Sequence, residues 1–264
     1  MAAVENVVED VRIPYPEANE LHLRISVGAC QLRITPADGE TWVSGSYRHP
    51  QDTLPLRIEQ AGGNIRIGQE TGRWAGLWGA VDRDSVPRFD LRIGNVRPFA
   101  LTLEVGASDN EIDLGGLPVG ELVVKQGAGR AVVDFSRPNP QVMNLLELSA
   151  GASSFELRRL GNANFLRMQA EGGAAGFSFD FDGRLQHDAQ VIVKTGMAGV
   201  EASIPATTAA KATVESVMGG VDLGDGFMRK DGAYWNEAAL NGSGPLLTIQ
   251  ATIALGGLKL RSRA

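Results

Sequence analysis

Apolar and polar residues alternate along most of this chain, and the alternation is interrupted at regular intervals by a glycine. Leu23, Ile25 and Val27 alternate with polar neighbours and meet Gly28-Ala29; Leu32 and Ile34 resume the alternation beyond it. Strict alternation is the signal of a half-buried strand. A looser copy follows, with Leu56 and Ile58, then Gly62-Gly63, then Ile65 and Ile67. From Phe89 the pattern is regular. Gly106, Gly127, Gly151, Gly173, Gly196 and Gly219 are spaced by 21, 24, 22, 23 and 23 residues. A fixed period of this length marks a repeat architecture in which no unit can bury its apolar face alone.

Counting from Gly28 and those six glycines tests the register. Five residues before them stand Leu23, Leu101, Leu122, Leu146, Met168, Val191 and Val214. Three before stand Ile25, Leu103, Val124, Leu148, Ala170, Val193 and Ser216; six after stand Ile34, Ile112, Val133, Leu157, Phe179, Ala202 and Asp225. The two polar exceptions fall in the last copy, where a terminal repeat is expected to be atypical. Side chains two residues apart share a face in a strand and not in a helix. The chain is therefore expected to be all-β: a single-stranded, β-helix-like solenoid with coils of 21–24 residues and Gly-Ala turns. Residues 136–141 and 224–236 read as return loops. The final stretch, LLTIQATIALGGLKLRSR, reads as a closing strand pair whose basic tail blunts the end of the stack against edge pairing.

One domain is expected over residues 1–264, since no linker divides it. Residues 1–20 form an N-terminal cap in which residues 1–12 read equally as a helical turn or an edge strand, closed by Pro14 and Pro16. Residues 71–88 form an insertion that carries Trp74 and Trp78, and residues 224–264 hold the C-terminal loop and closing strands.

Composition narrows the function more than the fold. With 33 glycines and 6% aromatics the chain suits many tight turns. A net charge of −6 argues against a nucleic-acid partner, whose phosphates call for a basic footprint. The single cysteine, Cys30, excludes an intrachain disulfide. The first residues lack the basic and apolar regions of a signal peptide, and no apolar run is long enough to span a bilayer, so a cytoplasmic location is expected.

The segments VGASDNEIDL, KQGAGRAVVDF, SAGASSFEL and KTGMAGVEASI, closed by LTIQATIALGGLKL, resemble the toastrack family over residues 21–260. That resemblance implies a bacterial β-solenoid domain of the kind found in LiaF-type envelope-stress proteins and in adhesin-like proteins. It supplies no active-site residues to transfer. Many members are fused to membrane segments, so it also implies that a chain without one is a soluble form or docks on a membrane partner.

Candidate interaction residues are Arg73, Trp74, Trp78, Asp82 and Arg83 in the insertion, and Tyr234 and Trp235 in the late loop. Tryptophan and arginine are common interface anchors. The competing reading is that both aromatic segments fold back and cap the core. The alternating acids Asp109, Glu111 and Asp113, and Asp180 and Asp182, match no calcium-loop pattern and read as the solvent face of strands. His22, His49 and His187 are isolated and read as surface or loop residues; Cys30 reads as a buried filler. No nucleophile elbow or phosphate loop is present. No catalytic, cofactor or metal residues are therefore assigned. The chain reads as a non-catalytic binding or scaffold module for a protein partner, including a membrane-associated one. A carbohydrate-binding, adhesin-like module is the alternative, and a β-helix polysaccharide enzyme comes last, because a fold alone does not imply that chemistry.

Overall fold

The alternating runs form strands because each places β-branched or leucine side chains on one face only. The computed structural model describes residues 6–50, 55–69 and 86–263. In chain order the strands are β1 (Asn6–Pro14), β2 (His22–Val27), β3 (Cys30–Ala37), β4 (Thr41–Pro50), β5 (Leu56–Ala61), β6 (Asn64–Gln69), β7 (Arg88–Gly94) and β8 (Phe99–Asp113). They continue as β9 (Val119–Asp134), β10 (Met143–Arg158), β11 (Phe165–Asp180), β12 (Ala189–Pro205), β13 (Ala209–Leu223), β14 (Phe227–Lys230), β15 (Ala233–Asn236) and β16 (Leu246–Arg263). One short helix, α1 (Glu237–Leu240), follows β15. The protein is all-β, and its strands join into one large, mostly parallel sheet in the order β1-β4-β7-β3-β8-β9-β10-β11-β12-β16-β13-β15-β14, with β2, β6 and β5 branching from β8.

The long strands owe their shape to the glycine positions. In β8, Leu101, Leu103 and Val105 are buried, Gly106 and Ala107 are both exposed, and then Ser108, Asn110 and Ile112 are buried. Two outward residues in succession shift the alternation by one, so both arms can face the core only if the strand turns a corner there. Stacking requires a small residue at that corner: a Cβ on Gly151 would lie 2.4 Å from the Gly127 carbonyl oxygen of the neighbouring strand.

Parallel pairing aligns equivalent residues into ladders. Leu101, Leu122, Leu146, Met168 and Val191 stand side by side across β8 to β12. On the other arm Ile112, Val133, Leu157, Phe179 and Ala202 do the same. The partners are 21, 24, 22 and 23 residues apart, matching the glycine spacing. Segments between the long strands are also tied from one to the next by backbone bonds, such as Phe135 N to Arg158 O at 3.1 Å and Gly161 N to Asp182 O at 2.9 Å. Asn139, 1% exposed, donates to Val119 O at 2.8 Å and Ala163 O at 3.2 Å, so its side chain stitches three return segments.

Two expectations about the last copy are corrected. β16, the end of the chain, does not close the stack; it lies between β12 and β13. Its basic residues meet acids on other strands, with Arg261 Nε 3.2 Å from Glu201 of β12, Lys259 Nζ 3.4 Å from Asp222 of β13, and Arg263 paired with Asp180 of β11. The register of β13 is also two residues off the glycine count. Thr195 pairs with Ile253 and Met197 with Leu255, while Ser216 pairs with Ile253 and Met218 with Leu255. Val217, not Gly219, is therefore level with Gly196. Counted from Val217, the inward positions are Ala212, Val214 and Leu223, and the polar exceptions Ser216 and Asp225 disappear.

The N-terminal end is closed by antiparallel strands. Of residues 1–12, which read equally as helical turn or edge strand, those described form the edge strand: β1 (Asn6–Pro14) pairs with β4. β5 and β6 make a hairpin around Gly62-Gly63, so those glycines turn a hairpin rather than a corner of the stack. β4, which the alternation did not reveal, brings in Trp42 and Tyr47, both 0% exposed. Trp42 stacks on Tyr15 at 6.0 Å and meets Phe99 edge-on at 5.9 Å; Tyr47 stacks on Phe89 at 4.1 Å.

Candidate functional site

Of the residues singled out in the sequence, Arg73, Trp74, Trp78, Asp82 and Arg83 lie outside the described residues. Tyr234 and Trp235 lie in β15, not in a loop. β14 and β15 form a hairpin whose turn residues Asp231 and Gly232 have φ of 50° and 76°, the left-handed pair that a two-residue hairpin favours. Tyr234 packs against the core, and Lys211 Nζ sits 4.8 Å from the centre of the Trp235 ring, within cation–π range. Trp235 Nε1 donates to Lys230 O at 3.3 Å.

Asn236, 1% exposed, fixes this hairpin to the end of the stack. Its Oδ1 accepts from Ala210 N at 2.9 Å and from Ala239 N at 3.0 Å, and its Nδ2 donates to Thr208 O at 2.7 Å. It is thus the N-cap of α1 and a clamp on β13 together. The hairpin covers only the start of that strand, pairing with Lys211 and Ala212.

Beyond Ala212 the C-terminal end is open. Among the described residues no strand pairs with residues 213–223 on the side away from β16. Inward-facing side chains show the consequence. Leu223 is 37% exposed, although its ladder neighbours Ala202 and Leu260 are 1% and 0% exposed. Val214 and Val221 are only half-buried.

At the corner of the same end the outward residues are apolar. Met197, Leu255 and Met218 stand in register on adjacent strands at the corner and are 58%, 39% and 64% exposed, next to Val217 at 82%. Beside them runs a cleft of about 870 Å³ whose floor is the row Ser154, Gly176, Gly199, Gly257 and Gly220 across five strands. A Cβ on Gly199 or Gly220 would meet nothing within 4 Å, so packing does not explain why these positions are bare. A contiguous exposed apolar patch of this sort marks contact surfaces. The sequence offered a signal for it in Val217-Met218-Gly219-Gly220, which the count from Gly219 hid.

A second cleft, of about 1010 Å³, follows the other arm of the corner and is lined by a charged row. Glu104 accepts from Arg24 at 2.6 Å and from Ser26 at 3.1 Å, with Lys125 Nζ 3.9 Å away. The Arg24 hydrogen bond, against the cost of burial, holds the Glu104 carboxyl below its ordinary range. Farther along, Lys194 lies 3.9 Å from Glu171. Opposite charges answer one another along this row.

Several other titratable residues singled out in the sequence have structural partners. Asp113 accepts from Gly115 N at 2.9 Å and Ser136 Oγ at 2.8 Å; Asp180 accepts from Asp182 N at 3.2 Å. His49 is a correction. It is buried rather than on the surface, with Nε2 2.9 Å from Glu9 Oε1 and Nδ1 2.8 Å from Pro50 O. Cys30 is buried, which pushes its thiol up to about 12 and leaves it protonated at neutral pH. Among the described residues no helix is long and apolar enough to cross a membrane.

One known structure shares this architecture. That of a candidate cell adhesion protein from Clostridium sporogenes aligns over 98% of this chain and 100% of its own, with a TM-score of 0.51 and 13% identity. A candidate adhesin from Bacteroides fragilis aligns over 98% of both chains with a TM-score of 0.40 and 8% identity, and one from Parabacteroides merdae over 97% and 96% with a TM-score of 0.41 and 9% identity. At such identities the first of these speaks for the fold alone. No curated protein matches the chain. The N-terminal domain of toast_rack, DUF2154, matches residues 3–145, more than half of the sequence, and the chain belongs to that family.

Proposed function

We propose that this chain is a non-catalytic β-solenoid scaffold that binds a protein partner, with the C-terminal corner as its contact surface. The observation that carries this reading is the exposed row Met197, Leu255 and Met218, flanked by Val217 and by a glycine-floored cleft. Methionine adapts its shape to a partner at little cost, and a bare backbone lets that partner approach closely. The corner is also built on backbone-paired strands, so the surface is presented rigidly. The resemblance to the toastrack family, which occurs in LiaF-type envelope-stress proteins, supports placing the partner in the bacterial envelope-stress response, including a partner held at a membrane.

The test is an affinity capture from solubilised membrane and soluble fractions, comparing the native chain with a Met197→Lys/Leu255→Lys variant of unchanged circular dichroism. The native chain is expected to retain a protein that the variant loses. Equal capture by both would place the contact elsewhere, and a parallel Trp74→Ala/Trp78→Ala variant would then show whether the insertion carries it.

A further inference from the structure

We infer that the open edge of β13 pairs with β13 of a second copy of this chain, joining two stacks end to end about a two-fold axis. The inference builds on the reading of the C-terminal end as a contact surface and names the partner of its edge.

The edge is a strand acceptor by construction. Residues 213–223 are bonded to β16 on one side and, among the described residues, to no strand on the other. Their free N–H and C=O groups form a template for another strand. Half-buried Val214 and Val221 and the 37% exposed Leu223 also leave the end of the core uncovered. Repeat stacks need a covering unit at each end. What fits must follow the same corner and bring apolar residues to the same side of the sheet on both arms. A flat strand would turn one arm's side chains the wrong way.

A second β13 meets these conditions by identity. Laid antiparallel with the axis between Val217 and Met218, it sets Val214 opposite Val221 and Ser216 opposite Gly219 on the core side. On the outer side Glu215 faces Gly220 and Asp222 faces Thr213. Glu215 and Asp222 are the only charged residues in the segment, and neither opposes another acid. Like charges placed directly opposite would destabilise the pair. At the corner the alternation slips in both strands at the same place, so each arm keeps its own register. The hairpin β14–β15 bounds the paired segment at Ala212. The opposite end of the molecule is occupied by antiparallel β1–β4 and β5–β6, which offer no matching corner, so the contact closes as a dimer and does not propagate into a filament.

Sedimentation of the native full chain is the direct test, with a dimer expected at about 100 µM. Val217→Asp/Met218→Asp places four carboxylates at the axis and is expected to weaken the dimer by on the order of 100-fold. Both side chains are exposed at 82% and 64%, so the fold tolerates the change, and circular dichroism verifies it. A Met218→Cys variant under mild oxidation is expected to form a disulfide-linked dimer. A Val8→Cys variant, exposed at the other end, is expected to form none; native Cys30 is buried and contributes no background. A chain that stays monomeric, or a dimer that survives the aspartates or links equally through Val8→Cys, overturns the inference. Because the capture experiment alters Met197 and Leu255 and not the edge, the contact surface and its self-pairing can fail separately.

Discussion

Two glycines on neighbouring strands of the same stack show how differently one residue type is used. Gly256 has φ +127°, and a Cβ there would lie 1.9 Å from Ala198 O. Gly199 meets nothing within 4 Å and has ordinary backbone angles. Gly256→Ala is expected to cost more than about 2 kcal/mol, combining left-handed strain with a backbone clash. Gly199→Ala is expected to be neutral or to stabilise by about 0.4–1 kcal/mol, because it restricts the unfolded chain and fills no occupied space. Urea unfolding of the two variants beside the native protein checks this. If Gly199→Ala proved as damaging as Gly256→Ala, the account of the bare row would be wrong. Elsewhere side chains take over what the backbone leaves unfinished: Asn139 and Asn236, each 1% exposed, satisfy carbonyls and amides of neighbouring segments that the sheet does not reach.

At the level of the strand, the corner divides the labour between two arms. One arm is a ladder of leucine, methionine and valine; the other carries a run of phenylalanines. Phe155 stacks on Phe177 at 5.9 Å between strands, and Phe177 on Phe179 at 5.7 Å within one strand. Phe177 is 3% exposed and joins β10 to β11. Phe177→Ala is expected to destabilise by about 3–5 kcal/mol, since neighbouring ladders are pinned by backbone pairing and cannot collapse into the space. Thermal unfolding of the variant measures it, and a loss below about 1 kcal/mol would show that the arm can repack.

For the whole molecule, the order of strands differs from the order of sequence at one place with large consequences. β16 is the last segment of the chain, yet it pairs along its length with β12 on one side and β13 on the other. Chain termini usually tolerate truncation, because little is built on them. Here a chain ending at residue 245 would lose a central strand and detach β13, the hairpin β14–β15 and α1. It is expected to unfold at markedly lower urea than the full chain and to lose hydrogen-exchange protection in β12 and β13. Protection in β12 unchanged by the truncation would contradict the observed pairing.

The repeat was legible because its cause is local. Alternation within a strand, and a glycine at each corner of β8 to β12, are demands that each unit makes on its own sequence. The ladders from Leu101 to Val191 therefore stand where the glycine spacing puts them. The family was legible on the same grounds, since the corner motif recurs in order. The hairpin at Asp231-Gly232 was legible as well, in the dipeptide that supplies two left-handed residues, but it lay inside a stretch read as loop. Other features depend on partners distant in sequence. Trp42 and Tyr47 are core residues only because β4 folds back on β1 and β7, and nothing in their own neighbourhood alternates cleanly. The slot taken by β16, and with it the true register of β13, is decided by which strand covers β12. Local pattern is silent there, because β13 and β16 each present an acceptable apolar face. Tertiary structure alone reveals that the end of the core is left bare at Val214, Val221 and Leu223: exposure is a property of what is not beside a residue, and no single stretch of sequence contains that.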